Sequence, residues 1–164
     1  MSLSTDQRRI LLGQPSGWIA LGLGSGLAPQ APGSVASLVA LLPWLALRHL
    51  PWPYYLLMLT LGFALGVWAC GRAGRAIGVA DHGALVWDEY IGQWLAWLPV
   101  LAAPWPWVLA GFMLFRMFDI FKPWPIGWAD RRFKGGLGVM LDDVLAGLAA
   151  ACCLALLMWL ARVM

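Results

Sequence analysis

Charged side chains are scarce in this sequence. Asp, Glu, Lys and Arg make up 12% of its 164 residues, whereas hydrophobic residues make up 62%. A soluble domain of this size needs a polar surface, which eight acidic and eleven basic residues cover only sparsely. The composition therefore indicates an integral membrane protein of one domain. The net charge of +3 then bears on membrane topology, and we expect no nucleic-acid partner.

Cysteine chemistry is also poorly represented. The three cysteines, Cys70, Cys152 and Cys153, lie in or beside apolar runs, without the spacing of a disulfide framework or a zinc site. We interpret them as small core residues. Cys70 and Arg75 lack the spacing of the cysteine-based phosphatase motif, and no D-x-D pair is present to supply an aspartyl nucleophile. These absences exclude phosphoryl chemistry through those two motifs.

Five apolar segments approach the length of about 20 residues that a helix needs to cross a bilayer. They comprise residues 35–50, 54–71, 84–102, 107–121 and 139–161. Prolines between the first two segments and between the third and fourth predict tight turns, since proline cannot continue a helix. We therefore predict an all-α, polytopic membrane helical bundle of about five membrane-embedded helices. Residues 1–164 form a single domain, in which residues 1–15 are expected to be a variable N-terminal tail.

The basic residues are distributed unequally between the segments that join these spans. With five crossings, residues 1–33, 72–83 and 122–138 lie on one side of the membrane and carry eight of the eleven Lys and Arg residues. Positive charge concentrates in cytoplasmic loops. The sequence therefore predicts a multi-pass protein of the bacterial cytoplasmic (inner) membrane, with its N-terminus in the cytoplasm.

The acidic residues follow the same geometry. Every acid except Asp6 falls at the predicted cytoplasmic end of a span or in a cytoplasmic loop. Charged groups in or near a span are costly and by default mark functional sites. We therefore expect carboxylates from three helices to gather at one depth, together with a nearby histidine that is an alternative acid or base. These candidate catalytic residues are Asp88, Glu89, Asp119, Asp142, Asp143 and His82.

Gathered carboxylates repel one another, and a divalent cation such as Mg²⁺ would offset their charge. Helical periodicity places small residues along the faces of Asp143 and Glu89, which favours these two over their neighbours as inward-facing groups. We predict Glu89, Asp119 and Asp143 as metal ligands, with Asp88 and Asp142 as second choices. Where one member of an adjacent pair binds metal, the other is expected to pair with a base, such as Arg131 or Lys134 beside Asp142. Structural ion pairs and helix caps remain the alternative explanation of the same acids.

Several features could bind phosphate oxygens. Basic side chains near the acids, glycines before the last helix and a serine at the start of the first span offer charge or free N–H groups. The candidates are Arg116, Lys122, Arg131, Lys134, Gly135, Gly136 and Ser34. A flexible entry loop would explain the glycines equally well, and Ser34 could instead be an N-cap. A surface position would likewise explain His82.

Three stretches carry a resemblance to a known family. GLGSGLAPQAPGSVASL, DHGALVWDEYIG and FRMFDIFKPWPIGWADRRFKGGLGVMLDDVLAG together resemble phosphatidylglycerophosphatase A, a family of bacterial inner-membrane lipid phosphatases. The resemblance implies an all-helical bundle that removes the terminal phosphate of phosphatidylglycerophosphate to give phosphatidylglycerol, and that requires Mg²⁺. Carried over to the matching positions, it implies the functional set Asp81, His82, Asp88, Glu89, Arg116, Asp119, Lys122, Pro123, Asp130, Arg131, Gly135, Gly136, Asp142 and Asp143.

A different class of function would also use acids in a membrane. A transporter or channel with an acidic ion pathway is the alternative, and it would place its carboxylates near the bilayer midplane, often at an internal repeat. No repeat is visible, and the acids cluster at one end of the predicted spans. The sequence therefore favours a lipid phosphatase acting on phosphatidylglycerophosphate in the bilayer, and it leaves the oligomeric state open.

Overall fold

A computed structural model describes residues 3–163, and within them the chain forms nine α-helices, two short 3₁₀ helices and no strand. The all-α prediction is confirmed. The α-helices are α1 Thr5–Leu12, α2 Pro15–Ala20, α3 Pro32–Val39, α4 Leu41–Leu47, α5 Trp52–Ile77, α6 Trp87–Ala96, α7 Trp105–Phe121, α8 Ile126–Arg132 and α9 Gly135–Val163. The 3₁₀ helices are Gly22–Leu27 and Leu98–Val100.

The long helix α9 lies at the centre of the bundle and contacts α5, α6, α7 and α8. Small residues permit its closest contact, with α6. A Cβ atom added to Gly147 would lie 2.4 Å from the carbonyl oxygen of Gly92, and Ala146 and Ala150 beside it are fully buried. Helices whose facing residues lack bulk can bring their backbones together. The predicted small-residue face of α9 therefore packs inward as expected.

The helices α5 and α9 run antiparallel. Gly71 of α5 lies against Gly136 of α9, and Gly66, earlier in α5, lies against Met140, later in α9. The end of α5 and the start of α9 therefore lie at the same end of the bundle. Glycine at Gly136 is required by this contact, because an added Cβ atom would lie 2.0 Å from the carbonyl oxygen of Val67.

Two helices, α5 and α9, are long and apolar enough to cross a membrane. The expectation of five spans is not confirmed. The predicted first span is divided into α3 and α4, and the predicted third span contains the ten-residue helix α6. At 1.5 Å per residue, α6 is about 15 Å long, whereas the hydrocarbon core is about 30 Å thick. Its apolar residues Tyr90, Ile91 and Trp94 are buried in the protein, so their hydropathy reflects the core.

The surface of α5 and α9 supports a lipid environment. Only 33% of the most apolar stretch of α5 and 22% of that of α9 is buried, so neither is an ordinary core helix. Large apolar side chains stand exposed along both helices and along the facing part of α7. They include Leu57, Leu61, Leu65, Trp68, Leu109, Met113, Leu148, Leu156, Leu157 and Trp159. One of the presumed core cysteines, Cys152, is also exposed on α9, so that interpretation was wrong for this residue.

The N-terminal region packs against the end of the bundle where α5 finishes. The segment predicted as a tail contains α1, which begins with a reciprocal capping box between Ser4 and Gln7. The side-chain amide of Gln7 also donates to the carbonyl oxygen of Ile77 at 3.3 Å, and Leu11 is fully buried. The segment after α2 then packs on the 78–86 loop, since the Val86 N–H donates to the carbonyl oxygen of Ala20 at 2.7 Å. Both segments are thereby held over one end of α6 and α9.

We expect Gly147→Ala to destabilise the bundle, because its new Cβ atom meets backbone that has no side-chain freedom to move. Overpacking of this kind costs about 1–3 kcal/mol. The measurement is thermal unfolding in detergent. Gly83→Ala is the matched control, since a Cβ atom at Gly83 meets nothing within 4 Å. Equal melting temperatures for Gly147→Ala and the unmodified protein would contradict the close α6–α9 contact.

Candidate active site

A polar cavity of about 670 Å³ opens at the end of the bundle where α5 and α7 finish and α6 and α9 begin. Its walls come from the 26–33 segment, the 81–86 loop and the polar ends of α6, α7 and α9. Six carboxyl groups and three basic side chains line it. These charged residues are Asp81, Asp88, Glu89, Asp119, Asp142, Asp143, Arg8, Arg116 and Lys122. The predicted gathering of acids from separate helices is therefore present.

One wall of the cavity is an ion-pair cluster around Arg116. Its guanidinium Nη1 donates to Glu89 Oε2 and lies 3.0 Å from Asp119 Oδ2, one turn further along α7. Glu89 Oε2 also accepts from the Ser37 hydroxyl at 2.6 Å. Burial disfavours charge on Arg116, but Glu89 and Asp119 outweigh it and raise the pKa of the guanidinium. Gly33 allows this closeness, because an added Cβ atom would lie 2.0 Å from Glu89 Oε1.

Three carboxylates form a second cluster that is suited to a cation. Oxygen atoms of Asp119, Asp142 and Asp143 all lie within 4.8 Å of one another. Asp142 and Asp143 are 7% and 3% exposed, and Asp142 Oδ1 and Asp143 Oδ2 are buried without a hydrogen-bond partner in the described residues. Buried polar atoms normally have partners. Together the three oxygen ligands and the two unpartnered atoms fit a hard divalent cation.

This set differs by one member from the predicted ligands. Asp119 and Asp143 belong to the cluster as expected, but Glu89 is occupied by Arg116 and Ser37, and the second choice Asp142 takes its place. The sequence ranking depended on helix faces alone. The ranking therefore took no account of Arg116 on α7, which forms an ion pair with Glu89 and keeps it out of this cluster.

Lys122 connects the acid pair to the neighbouring loop. Its Nζ lies 2.5 Å from Asp142 Oδ2 and 3.0 Å from Asp130 Oδ1. Burial opposes its charge, but the hydrogen bonds that it donates to Asp142 and Asp130, together with their negative charges, dominate and raise the pKa of the ammonium group. The expected partner of Asp142, Arg131 or Lys134, was wrong. Lys122 reaches Asp142 because it ends α7 in a left-handed conformation, with φ of 42°.

The position of the acid pair within α9 also differs from expectation. The predicted fifth segment, residues 139–161, would place Asp142 and Asp143 near its first turn, but α9 begins at Gly135 and has no acid in its first turn. The favourable effect of the helix dipole is confined to that turn. It applies to Asp88 and Glu89 in the first turn of α6, whereas Lys122 compensates Asp142 instead.

Asp88 lines the cavity without contacting a cation in the described residues. It is half-buried, and its Oδ1 accepts from the backbone N–H of Glu89 at 2.9 Å. Burial and then the charge of Glu89 raise the pKa of the Asp88 carboxyl well above its usual range. Asp88 and Glu89 therefore have different contacts, and neither belongs to the cluster of Asp119, Asp142 and Asp143.

Several predicted site residues lie elsewhere. The ring nitrogen Nδ1 of His82 accepts from the Ala84 N–H at 3.2 Å, and burial lowers the pKa of this imidazole. Lys134 donates to the backbone carbonyl of Asp130 at 3.1 Å. The predicted residues that do not line the cavity are Ser34, His82, Pro123, Asp130, Arg131, Lys134, Gly135 and Gly136. The N-cap of α3 is Ala31, so the N-cap explanation of Ser34 was wrong.

Two residues of the site were missed by the sequence analysis, one behind the cavity wall and one that lines the cavity. Ser37 bridges Glu89 and Arg116, and its only signal was a hydroxyl inside an apolar run. Arg8 reaches the cavity from α1, in the segment interpreted as a variable tail. No local pattern marks Arg8, because its place depends on how α1 packs against the end of α5.

The comparisons of this chain with a family profile and with individual known proteins point to the same family. The profile of the family described as phosphatidylglycerophosphatase A matches residues 18–158. The chain is 44% identical over 143 residues to phosphatidylglycerophosphatase A of Escherichia coli, across 87% of this chain and 83% of that protein. It is 39% identical over 151 residues to the protein of the same name from Haemophilus influenzae, across 92% and 93%.

A third relative carries another name. The chain is 40% identical over 152 residues to a Bacteroides thetaiotaomicron protein named as a candidate phosphatidylinositol-3-phosphatase, across 86% of this chain and 92% of that protein. No solved structure matches the chain.

We expect Lys122→Met to destabilise the protein in metal-free buffer by on the order of 2 kcal/mol, because it leaves Asp142 buried without its cation. Lys134→Met is the matched control, since Lys134 is exposed and contacts only a backbone oxygen. Denaturation in detergent gives the comparison. A larger loss of stability for Lys134→Met than for Lys122→Met would support the predicted pairing of Asp142 with Lys134.

Proposed function

The chain belongs to the phosphatidylglycerophosphatase A family of phosphate monoester hydrolases, and from this premise we propose that it converts phosphatidylglycerophosphate to phosphatidylglycerol and phosphate with the help of Mg²⁺. The observation that carries the proposal is the polar cavity beside two membrane-length helices, where two partly buried basic side chains, Arg116 and Lys122, face the three-aspartate cluster of Asp119, Asp142 and Asp143. A lipid phosphomonoester has the matching parts, an anionic head and apolar chains.

The anionic head needs a positive partner in this cavity, because its lining has six carboxyl groups against three basic groups. Asp119, Asp142 and Asp143 would hold Mg²⁺, and their two unpartnered oxygen atoms support this assignment. Bound there, Mg²⁺ would neutralise charge and polarise a phosphoryl oxygen. The fit rests on oxygen ligands alone, which is the donor type that this ion prefers.

Phosphate binding and acceptance of a proton would fall to side chains of the protein. Arg116 and Lys122 are charged groups on the cavity wall, fixed in place by Glu89, Asp119 and Asp142, and they would bind the outer oxygens of the phosphate. Donors held in advance need no reorganisation as charge develops on phosphate. Asp88, which contacts neither a cation nor the three-aspartate cluster, would accept the proton of the attacking water.

The distribution of charge supports a cytoplasmic site. Basic residues concentrate where α5 ends and α9 begins, including Arg72, Arg75, Arg131 and Arg132. The opposite end is formed by the turns around Pro51 and Pro104, which are joined because Arg48 donates to the carbonyl oxygen of Leu101 at 2.8 Å. By the positive-inside rule, the cavity would face the cytoplasm from the inner membrane.

The transporter alternative has less support. The carboxylates lie at one end of the bundle, and the ion pairs of Arg116 and Lys122 occupy several of them. Family membership favours hydrolysis over transport.

The proposal is tested by phosphate release from purified protein with phosphatidylglycerophosphate, with and without Mg²⁺. Asp143→Asn keeps the shape of a ligand but removes its charge, so we expect turnover to fall by about 100-fold or more, or a much higher Mg²⁺ requirement. Asp88→Asn is expected to lower turnover at an unchanged Mg²⁺ requirement. Asp6→Asn, an exposed acid of α1 outside the cavity, is the control.

The substrate is checked in the same assay by offering phosphatidylinositol 3-phosphate beside phosphatidylglycerophosphate. Faster release from the inositol lipid would overturn the proposed substrate while leaving the hydrolase intact. Full activity of Asp143→Asn at low Mg²⁺ would remove the three-aspartate cluster from the reaction.

Orientation makes a separate prediction. In a variant without the three native cysteines, Leu50→Cys and Ala102→Cys should react with an impermeant maleimide on intact cells, and Arg132→Cys should react only after the membrane is opened. These positions sample the two ends of the bundle. The reverse labelling pattern would place the cavity outside the cytoplasm.

A further inference from the structure

A second concavity of about 590 Å³ lies on the apolar surface beside the cavity. It is a groove between α7 and the α3–α4 segment, with Trp97 at its base. Its lining is almost wholly apolar and includes Leu38, Leu41, Trp105, Leu109 and Met113. Leu38, Leu109 and Met113 are each more than half exposed, so the groove is open to the surroundings of the bundle.

The groove continues from the polar cavity along the same two elements. On α7, Arg116 lines the cavity and Met113, one turn earlier, lines the groove. On α3, Gly33 lines the cavity and Leu38 lines the groove. Between them the Arg116 guanidinium donates to the Ser37 hydroxyl at 3.3 Å. The charged part of the wall therefore ends one helical turn from the beginning of the apolar part.

The groove extends along most of the length of α7. From Arg116 back to Trp105, α7 rises by about 16 Å at 1.5 Å per residue. Trp105 begins α7 at the opposite end of the bundle from the cavity, so the groove leads away from the charged groups along the length of the helix.

We propose that this groove binds one acyl chain of the lipid substrate while its phosphate lies at Arg116. The proposal rests on the proposed function, since the occupant is the chain of the lipid that is hydrolysed. An amphiphile with its anionic head at Arg116 has its chain directed into this groove by the geometry of α3 and α7. Burial of its methylene groups against Leu38, Leu109 and Met113 then contributes to binding in proportion to the area covered.

Another apolar groove serves as the internal comparison. It has a volume of about 510 Å³ and lies between α4 and α5, with Leu57 and Leu61 on its wall. Neither α4 nor α5 contributes a residue to the polar cavity. Trp87 and Trp94 of α6 complete this second groove, so it shares α6 with the polar cavity but neither α3 nor α7, the two elements that join the proposed groove to Arg116.

The test compares two substrates with the same head group, dipalmitoyl and dibutanoyl phosphatidylglycerophosphate, in the same detergent. Leu38→Trp and Leu109→Trp fill the groove from exposed positions, and Leu57→Trp fills the comparison groove from an equally exposed one. We expect both groove variants to lose about tenfold or more in kcat/KM for the dipalmitoyl lipid, mainly through KM, and to keep normal turnover of the dibutanoyl lipid. Leu57→Trp should change neither.

Equal losses on both lipids, or no loss on either, would overturn the assignment of the groove. If the unmodified protein hydrolyses neither lipid, the proposed function itself fails and this proposal falls with it. A second measurement needs no variant. A substrate with a photoreactive acyl chain should crosslink to the peptide containing Leu109, and crosslinking confined to the peptide containing Leu57 would overturn the proposal.

Discussion

The close approach of α6 to α9 is the contact on which the site depends. Gly92 and Gly147 meet backbone to backbone, and an added Cβ atom at Gly92 would lie 2.7 Å from the carbonyl oxygen of Asp143. One turn before Gly92 is Glu89, and one turn before Gly147 is Asp143. Two acids from different helices are thus brought to one depth by glycines that carry no charge themselves. A larger residue at either glycine would separate the acids as well as the helices.

Acids that gather beside apolar surface repel one another, and two basic residues offset part of this repulsion. Arg116 contacts Glu89 and Asp119, and Lys122 contacts Asp130 and Asp142, so each cation lies between two carboxylates. Asp88 and Asp143 are left without a basic partner in the described part of the chain. A negative excess in a partly buried site favours a further cation. The same excess would repel an anionic substrate, and this is the electrostatic reason that Mg²⁺ belongs to the proposed function.

Sequence reasoning succeeded where a property is periodic or additive along the chain. The placement of acids relative to apolar segments predicted that Asp88, Glu89, Asp119, Asp142 and Asp143 gather, and they do line one cavity. Small residues at helical spacing predicted the inward face of Asp143, which packs as expected. Both arguments use only the repeat of a helix and the cost of charge near lipid.

Sequence reasoning failed where the structure depends on which helix surfaces pack against one another. Hydropathy does not distinguish a helix that faces lipid from one that is buried in protein, so α6 was interpreted as a span. The partner of Asp142 depends on the turn at Lys122, whose left-handed backbone carries the side chain towards α9. Ser37 gained its place only through the packing of α3 against α6 and α7. Each of these is a property of two elements together.

Arg116 lies at the boundary between the charged end and the apolar part of α7. Towards the end of α7, Asp119 pairs with Arg116 and Lys122 pairs with Asp142, whereas towards its start Met113 and Leu109 are exposed and apolar. An arginine suits this position because its stem packs on apolar surface while its guanidinium stays with anions. Its planar group already holds Glu89 and the Ser37 hydroxyl, so its orientation is set before a substrate arrives. In the proposed complex the lipid phosphate would be bound at this group, while an acyl chain would lie on the apolar side of the same helix.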